Sequence, residues 1–367
     1  MTIKRYDWPG GELLELEHHS KVLVGNPLGD PHVRKLHVWL PPQYNKRRNR
    51  RFPVLYDLVG YTGSGLAHTS WKNFGENVQE RAARLMHERR MGQAILVFPD
   101  CFTALGGNQY INSSALGQYA DYLTKEIIPF IDAELRTLAS RDARACFGKS
   151  SGGYGAIIHG MKYAKYWGAI ADHSGDSYFD FIYHSDWPNT LNELGKYRKP
   201  PRKPGAYDVK KATAKLKPGI DDGRVKRFLE AFWAKENPSG AEIMCLMNLA
   251  MAASYDPDPK APNGFKLPVN LETGELLPQR WKRWLAHDPV NLVKDYKSNL
   301  KSLRGIFIDC GWRDQYHIHY GTRQLSAQLK KYGINHVYEE FADNHSGIDY
   351  RMDRSLPFLT RVLEKAK

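Results

Sequence analysis

Cysteine is scarce in this chain: the four present in 367 residues, Cys101, Cys146, Cys245 and Cys310, stand far apart. That spacing argues against a disulfide framework or a zinc site. Three of the four fall in or beside apolar runs, where a free thiol packs as a small apolar group. Long apolar runs are missing as well. No stretch of about 18 apolar residues is available to span a bilayer, and Met1-Thr2-Ile3-Lys4-Arg5-Tyr6-Asp7-Trp8-Pro9 lacks the apolar centre of a secretory leader. A cytoplasmic protein with no membrane partner is the expectation. No repeat at a fixed period is visible, which excludes a solenoid.

Negative charge is the third shortage, with 40 acidic against 53 basic residues and a formal net charge of +13. The excess is concentrated. Residues 196–227 hold twelve Lys or Arg against three Asp, a difference of +9, and Lys46-Arg47-Arg48-Asn49-Arg50-Arg51 forms a second cluster. Such segments attract anionic substrates or polymers, or they serve only as a solvated face. A nucleic-acid partner is not expected. With 42% hydrophobic and 25% charged residues the chain can bury a large core.

What is present in abundance is alternation between short apolar runs and helical spacing. Residues 53–58, 94–98, 143–147, 168–171 and 305–309 read as buried parallel strands, and 336–341 as a last strand. Residues 13–18 and 33–40 alternate apolar with polar and suit antiparallel edge strands. Helical spacing marks 77–89, 120–135, 155–166, 321–332 and 356–365. This is an α/β pattern with a mostly parallel central sheet and helices on both faces. The exception is 178–300, rich in Pro, Lys and Trp, which reads as a large cap insertion between a core made of 1–177 and 301–367. Its apolar stretch 243–251 reads as a helix. Together with Trp281 and Trp284 it either lines a substrate pocket or packs the cap's own interior.

Chemistry concentrates at Gly148-Lys149-Ser150-Ser151-Gly152, which follows a buried strand and opens a helix. A serine hydroxyl needs an exposed sharp turn, a nearby base and donors for the developing oxyanion, and this G-x-S-x-G turn supplies the first. The triplet Gly148-Lys149-Ser150 also ends a phosphate-binding loop, but that motif requires glycine where Ala143 stands. Acid and base should follow late strands in the order Ser, Asp, His. Asp314 follows the strand at 305–309 and His345 the strand at 336–341. Asp309 is an alternative acid, and His317 and His319 are rival bases. The backbone N–H groups of Ser151 and of Tyr61, in the loop Val59-Gly60-Tyr61-Thr62-Gly63, are candidate oxyanion donors. Lys149, Gln315 and Tyr316, with Trp281 and Trp284, are candidate substrate contacts.

Leu40-Pro41-Pro42-Gln43-Tyr44, the Leu58 to Gly63 loop, Gly148 to Gly153, Asp314 and His345 together resemble the esterase D and enterochelin-esterase-like family of α/β-hydrolases, over roughly 15–175 and 300–365. The resemblance implies an α/β-hydrolase fold and a serine hydrolase of esters or thioesters, needing no metal or cofactor, with the triad on Ser150, Asp314 and His345. Lys149 stands where members often have His, and Val59-Gly60 where they often have His-Gly. The expected function is a carboxylic-ester hydrolase working through an acyl-enzyme at Ser150. Its substrate would be a small-molecule or polymer ester, with anionic ones favoured by the basic cap, and homo-oligomerisation is left open. An acyltransferase or peptidase on the same scaffold, or a non-catalytic polyanion binder, are the alternatives.

Overall fold

Eight strands form one twisted sheet in the computed structural model, which describes residues 10–199 and 221–364. The strands are β1 (Glu12–His19), β2 (Val33–Leu40), β3 (Val54–Leu58), β4 (Ile95–Phe98), β7 (Arg144–Lys149), β8 (Ala169–His173), β9 (Gly305–Gly311) and β10 (Val337–Phe341). A separate two-stranded ladder pairs β5 (Asn112–Ser113) with β6 (Gly117–Gln118). The order across the large sheet is β1-β2-β4-β3-β7-β8-β9-β10. β2 pairs antiparallel with both β1 and β4, and every other neighbour is parallel. Only β1 is therefore an antiparallel edge. β2 is enclosed between two strands, against the expectation of two edges, and its Arg34 is buried in an ion pair with Asp100 at 3.0 Å.

Burial follows the pleat. Val54, Tyr56 and Leu58 of β3 face one core with Cys146, Ile170, Ile306 and Ile308, whereas Leu55, Ala145, Phe147, Ala171 and Phe307 face the other. The period of two places a hydrophobic layer on each side of the sheet. The second layer is closed by the helices Val78–His87 and Met352–Glu364. The first is closed by the helix Ser151–Lys162 and, beyond it, by helices of the 178–300 segment.

That segment is joined to the sheet through aromatic packing. Tyr154 of the helix after β7 meets Phe179 (6.1 Å between ring centroids) and Tyr255 (5.9 Å), and Tyr255 meets Trp284 (5.4 Å). The helix Pro289–Lys301 lies against Ser151–Lys162, where Asn299 Nδ2 donates to the Met161 carbonyl at 2.6 Å. One hydrophobic cluster runs through the sheet and the segment alike.

All four cysteines are free and buried. Among the described residues no helix is long and apolar enough to cross a membrane, and no group of three or more His, Cys, Asp or Glu is placed to hold a metal ion. Most of the basic stretch 196–227 lies outside the described residues. Of the part inside, Arg224 is buried and ion-paired with Asp222 and Glu272.

Candidate active site

Where β7 stops, Ser150 takes φ 58° and ψ −125°. A non-glycine residue holds such a backbone at a cost of order 1–3 kcal/mol, supported by its surroundings. Here the Ser150 N–H donates to the His173 carbonyl at 3.0 Å, and the Ser150 carbonyl accepts from the Tyr154 N–H at 2.9 Å. The flanking glycines have a steric reason. A Cβ on Gly148 would stand 2.1 Å from the Leu58 carbonyl oxygen, and one on Gly152 only 1.7 Å from the same atom. The end of β3 is thus pressed into the turn, and it brings the next loop with it: a Cβ on Gly60 would lie 3.5 Å from the Ser150 Cβ.

That loop carries Tyr61, whose phenol donates to the Leu105 carbonyl at 2.6 Å and is pushed well above its usual pKa by burial. The ring is anchored as a neutral prop, which fixes the backbone at 61. The amides of Tyr61 and Ser151 meet no backbone or side-chain acceptor among the described residues. Two uncommitted N–H groups in residues flanking a serine are what an oxyanion site requires.

The other half of the site comes from β9 and β10, whose parallel register pairs Cys310 with Glu340 and Gly311 with Phe341. The loops that follow remain side by side: Trp312 N–H donates to the Phe341 carbonyl and Arg313 N–H to the Asp343 carbonyl, each at 3.0 Å. Gly311 permits the contact, since a Cβ there would be 2.4 Å from the Asp343 oxygen. Across this junction His345 Nδ1 and Asp314 Oδ2 are 2.7 Å apart, both buried. Asp314 Oδ1 accepts the Tyr316 N–H at 2.9 Å, which fixes the carboxylate. An ionised carboxylate on Nδ1 makes that nitrogen the protonated one and leaves Nε2 as acceptor.

Asp309 is engaged elsewhere. Its Oδ1 lies 2.6 Å from His173 Nδ1, its Oδ2 accepts from Arg351 Nε at 2.8 Å, and His173 Nε2 meets Ser355 Oγ at 2.7 Å. Ser355, His173 and Asp309 repeat the order of a catalytic triad, but all three are sealed in the core. His317 caps the helix Ile318–Lys331, and His319 is buried against the Tyr320 ring at 4.1 Å. Neither lines the cleft that holds Ser150.

That cleft, about 540 Å³, is lined by Ser150, His345, Tyr61, Lys149 and Tyr316 among others. Tyr316 stands edge-on to the His345 ring, 4.9 Å between centroids. Gln315 is a brace rather than a lining residue: its Oε1 accepts the His345 N–H at 3.0 Å and its Nε2 donates to Ser346 Oγ at 3.3 Å. Trp281 and Trp284, taken as candidate contacts, are not in the lining. They pack against each other at 5.5 Å in the segment's interior, and Trp281 Nε1 donates to Asp180 at 2.8 Å. The helix Gly240–Tyr255 does reach the cleft, through Ile243, Met244 and Met247.

Sequence reasoning missed Asp176, Tyr183 and Gln109. Asp176 lines the cleft, and its Oδ2 accepts from Tyr183 Oη at 2.7 Å and from Ser151 Oγ at 3.4 Å. Burial raises its carboxyl above the usual range, against the lowering effects of Tyr183 and His345. One signal was available: Asp176 stands three residues past β8, at the same carboxyl edge of the sheet that carries Ser150 and Asp314, where ligands gather in open α/β sheets.

The family model described as "Putative esterase" matches residues 31–353. Esterase MT1326 of Mycobacterium tuberculosis (strain CDC 1551 / Oshkosh) is 34% identical over 163 residues, 42% of this chain and 32% of that protein. The match thus spans about a third of the relative's length. Among solved structures, a ferulic acid esterase superposes with a TM-score of 0.56 at 17% identity, covering 97% of this chain and 100% of that one. An S-formylglutathione hydrolase from Agrobacterium tumefaciens gives a TM-score of 0.54 at 17% identity, covering 98% of this chain and 99% of that one. These superpositions establish a shared α/β-hydrolase fold.

Proposed function

The chain belongs to the esterase family, and from that premise we propose that it is a serine carboxylic-ester hydrolase with Ser150, His345 and Asp314 as its triad. The observation that carries the reading is the 2.7 Å contact between His345 Nδ1 and Asp314, made by two loops that open onto the cleft of Ser150. In this reading His345 Nε2 removes the Ser150 proton as Oγ attacks the ester carbonyl. The Tyr61 and Ser151 amides hold the resulting oxyanion, and Asp314 stabilises the imidazolium. Collapse of the tetrahedral intermediate expels the alcohol, which takes the proton from His345. Water then repeats the sequence on the acyl-enzyme and releases the acid.

The 178–300 segment supplies the specificity wall, with Ile182, Ile243, Met244 and Met247 as an apolar part of the cleft lining. The two solved relatives are named for ferulic acid and for S-formylglutathione. For this chain the apolar face supports an acyl or alcohol group with a substantial hydrocarbon body.

Labelling with a fluorophosphonate tests the reading. Ser150 should be the modified residue, and Ser150→Ala should abolish both labelling and turnover of p-nitrophenyl esters. Full ester turnover by Ser150→Ala would sink it.

A further inference from the structure

Asp176 is a buried carboxylate for which the hydrolytic cycle has no use. Three donors converge on one of its oxygens: Oδ2 accepts from Tyr183 Oη at 2.7 Å, from Gln109 Nε2 at 3.4 Å and from Ser151 Oγ at 3.4 Å. Gln109 Nε2 also donates to Ser151 Oγ at 2.7 Å, so the group is cross-braced behind the candidate oxyanion residue. Oδ1 accepts from none of the described residues. Asp176 is 5% exposed and lines the catalytic cleft. The carboxylate of this lining residue is therefore clamped by one oxygen, while the other has no donor among the described residues.

A largely buried carboxylate oxygen without a donor calls for one. Ile182, Ile243, Met244 and Met247, which share the lining, have none to offer, and Thr62, Lys149, Tyr316 and Ser346 of the same lining make no hydrogen bond to it. A substrate hydroxyl fits, because it donates to the carboxylate while remaining neutral. A substrate carboxylate set against Asp176 does not, since it would bring two like charges to hydrogen-bond distance, and Lys149, the lysine of the same lining, makes no hydrogen bond to Asp176 that would neutralise it.

We propose that Asp176 is a specificity-determining residue that accepts a hydrogen bond from a hydroxyl group on the ester substrate, so that the cleft selects neutral hydroxylated esters over deoxygenated or carboxylated counterparts. The inference rests on the hydrolase reading given above and reverses the expectation of an anionic substrate that the basic segments encouraged.

The test compares kcat/KM within matched ester sets, which cancels differences in the amount of active protein. An acyl-side set consists of p-nitrophenyl hydrocinnamate and its ring-hydroxy and ring-carboxy derivatives, and an alcohol-side set of glyceryl monobutyrate against propyl butyrate. The wild-type protein should favour the hydroxylated member of at least one set by about tenfold or more, the scale of one hydrogen bond to a charged group. The set that shows the preference tells which side of the ester Asp176 meets. Asp176→Leu should bring that ratio close to one. Asp176→Asn, which keeps an acceptor oxygen and the side-chain shape, should give an intermediate ratio and serves where the leucine variant does not fold. Faster turnover of the carboxylated ester, or a hydroxyl preference that survives in Asp176→Leu, overturns the proposal. Wild-type protein that hydrolyses both sets without preference overturns this inference alone. Protein that hydrolyses none of them and takes no fluorophosphonate at Ser150 overturns the triad reading and this inference with it.

Discussion

Gly152 lies so close to Leu58 that a Cβ added to it would sit 1.7 Å from the Leu58 carbonyl oxygen. The contact is between backbones, so no rotamer change can relieve it. Gly152→Ala should therefore cost on the order of 3 kcal/mol or more, by forcing β3 away from the Ser150 turn. Gly195, at the end of the helix Trp187–Gly195, has no atom within 4 Å of an added Cβ. Gly195→Ala should shift stability by no more than about 1 kcal/mol. Urea unfolding of both variants measures the contrast, and equal effects would remove the steric argument.

Asp314 and Asp309 both pair with a histidine, and substitution separates their roles. Asp314→Asn should lower kcat roughly a thousandfold or more, because an amide no longer enforces the required tautomer of His345. Asp309→Asn should leave ester turnover by the folded protein in place and lower stability by about 3 kcal/mol, since it leaves Arg351 and His173 without their buried partner. Steady-state kinetics and thermal unfolding of the two variants decide the matter. A reversal of the two phenotypes would make Asp309 the acid.

His159 provides a pH test of the fold. Its Nε2 faces the Tyr110 carbonyl at 2.9 Å and its Nδ1 accepts from the Trp167 indole at 3.0 Å, so the ring is held neutral. Burial lowers its pKa to about 4. The unfolded chain, with an ordinary value of about 6.5, binds more protons in between, so the stability that His159 lends is present above that range and is lost as pH falls through it. Asp172 acts in the opposite sense. Burial pushes it up to about 7, and its contribution fades as pH rises through the interval from about 4 to about 7. A difference against His159→Gln isolates the histidine. The stability advantage of the wild type over this variant should shrink by about 3 kcal/mol between neutral pH and pH of about 4. A constant difference would show that His159 is not held neutral.

Met247 should set the length of chain the cleft admits. Met247→Trp fills the apolar face, so kcat/KM for p-nitrophenyl octanoate should fall at least about tenfold relative to p-nitrophenyl acetate. An unchanged ratio would place the hydrocarbon body elsewhere.

Much of this site could be read from the sequence, because its parts stand where strands stop. Short apolar runs marked β3, β7, β9 and β10, and Ser150, Asp314 and His345 each follow one of them. What could not be read is which side of a helix or which neighbour a residue meets. Trp281 and Trp284 look like pocket aromatics, yet they stack inside the segment, while the less conspicuous Met244 and Met247 reach the cleft. The surroundings that distinguish Asp309 from Asp314 are likewise remote in sequence: Arg351 bonds Asp309 and Ser355 bonds its neighbour His173, both from the last helical region described. Asp176 is not legible in the sequence because two of the three donors that hold it, Gln109 and Tyr183, lie 67 residues before it and 7 after it.

The sealed arrangement of Ser355, His173 and Asp309 bears on what holds the middle of the sheet. β8 and β9 place a histidine and an aspartate in the interior 2.6 Å apart, and Arg351 and Ser355, which complete the network, approach from the last helical region described. The helix Met352–Glu364 is thus tied to the central strands by buried polar bonds as well as by its apolar face. Detaching it would leave His173 and Asp309 paired with each other yet each short of a partner, so a nick in the chain between β10 and residue 351 would reach the core and not only the surface.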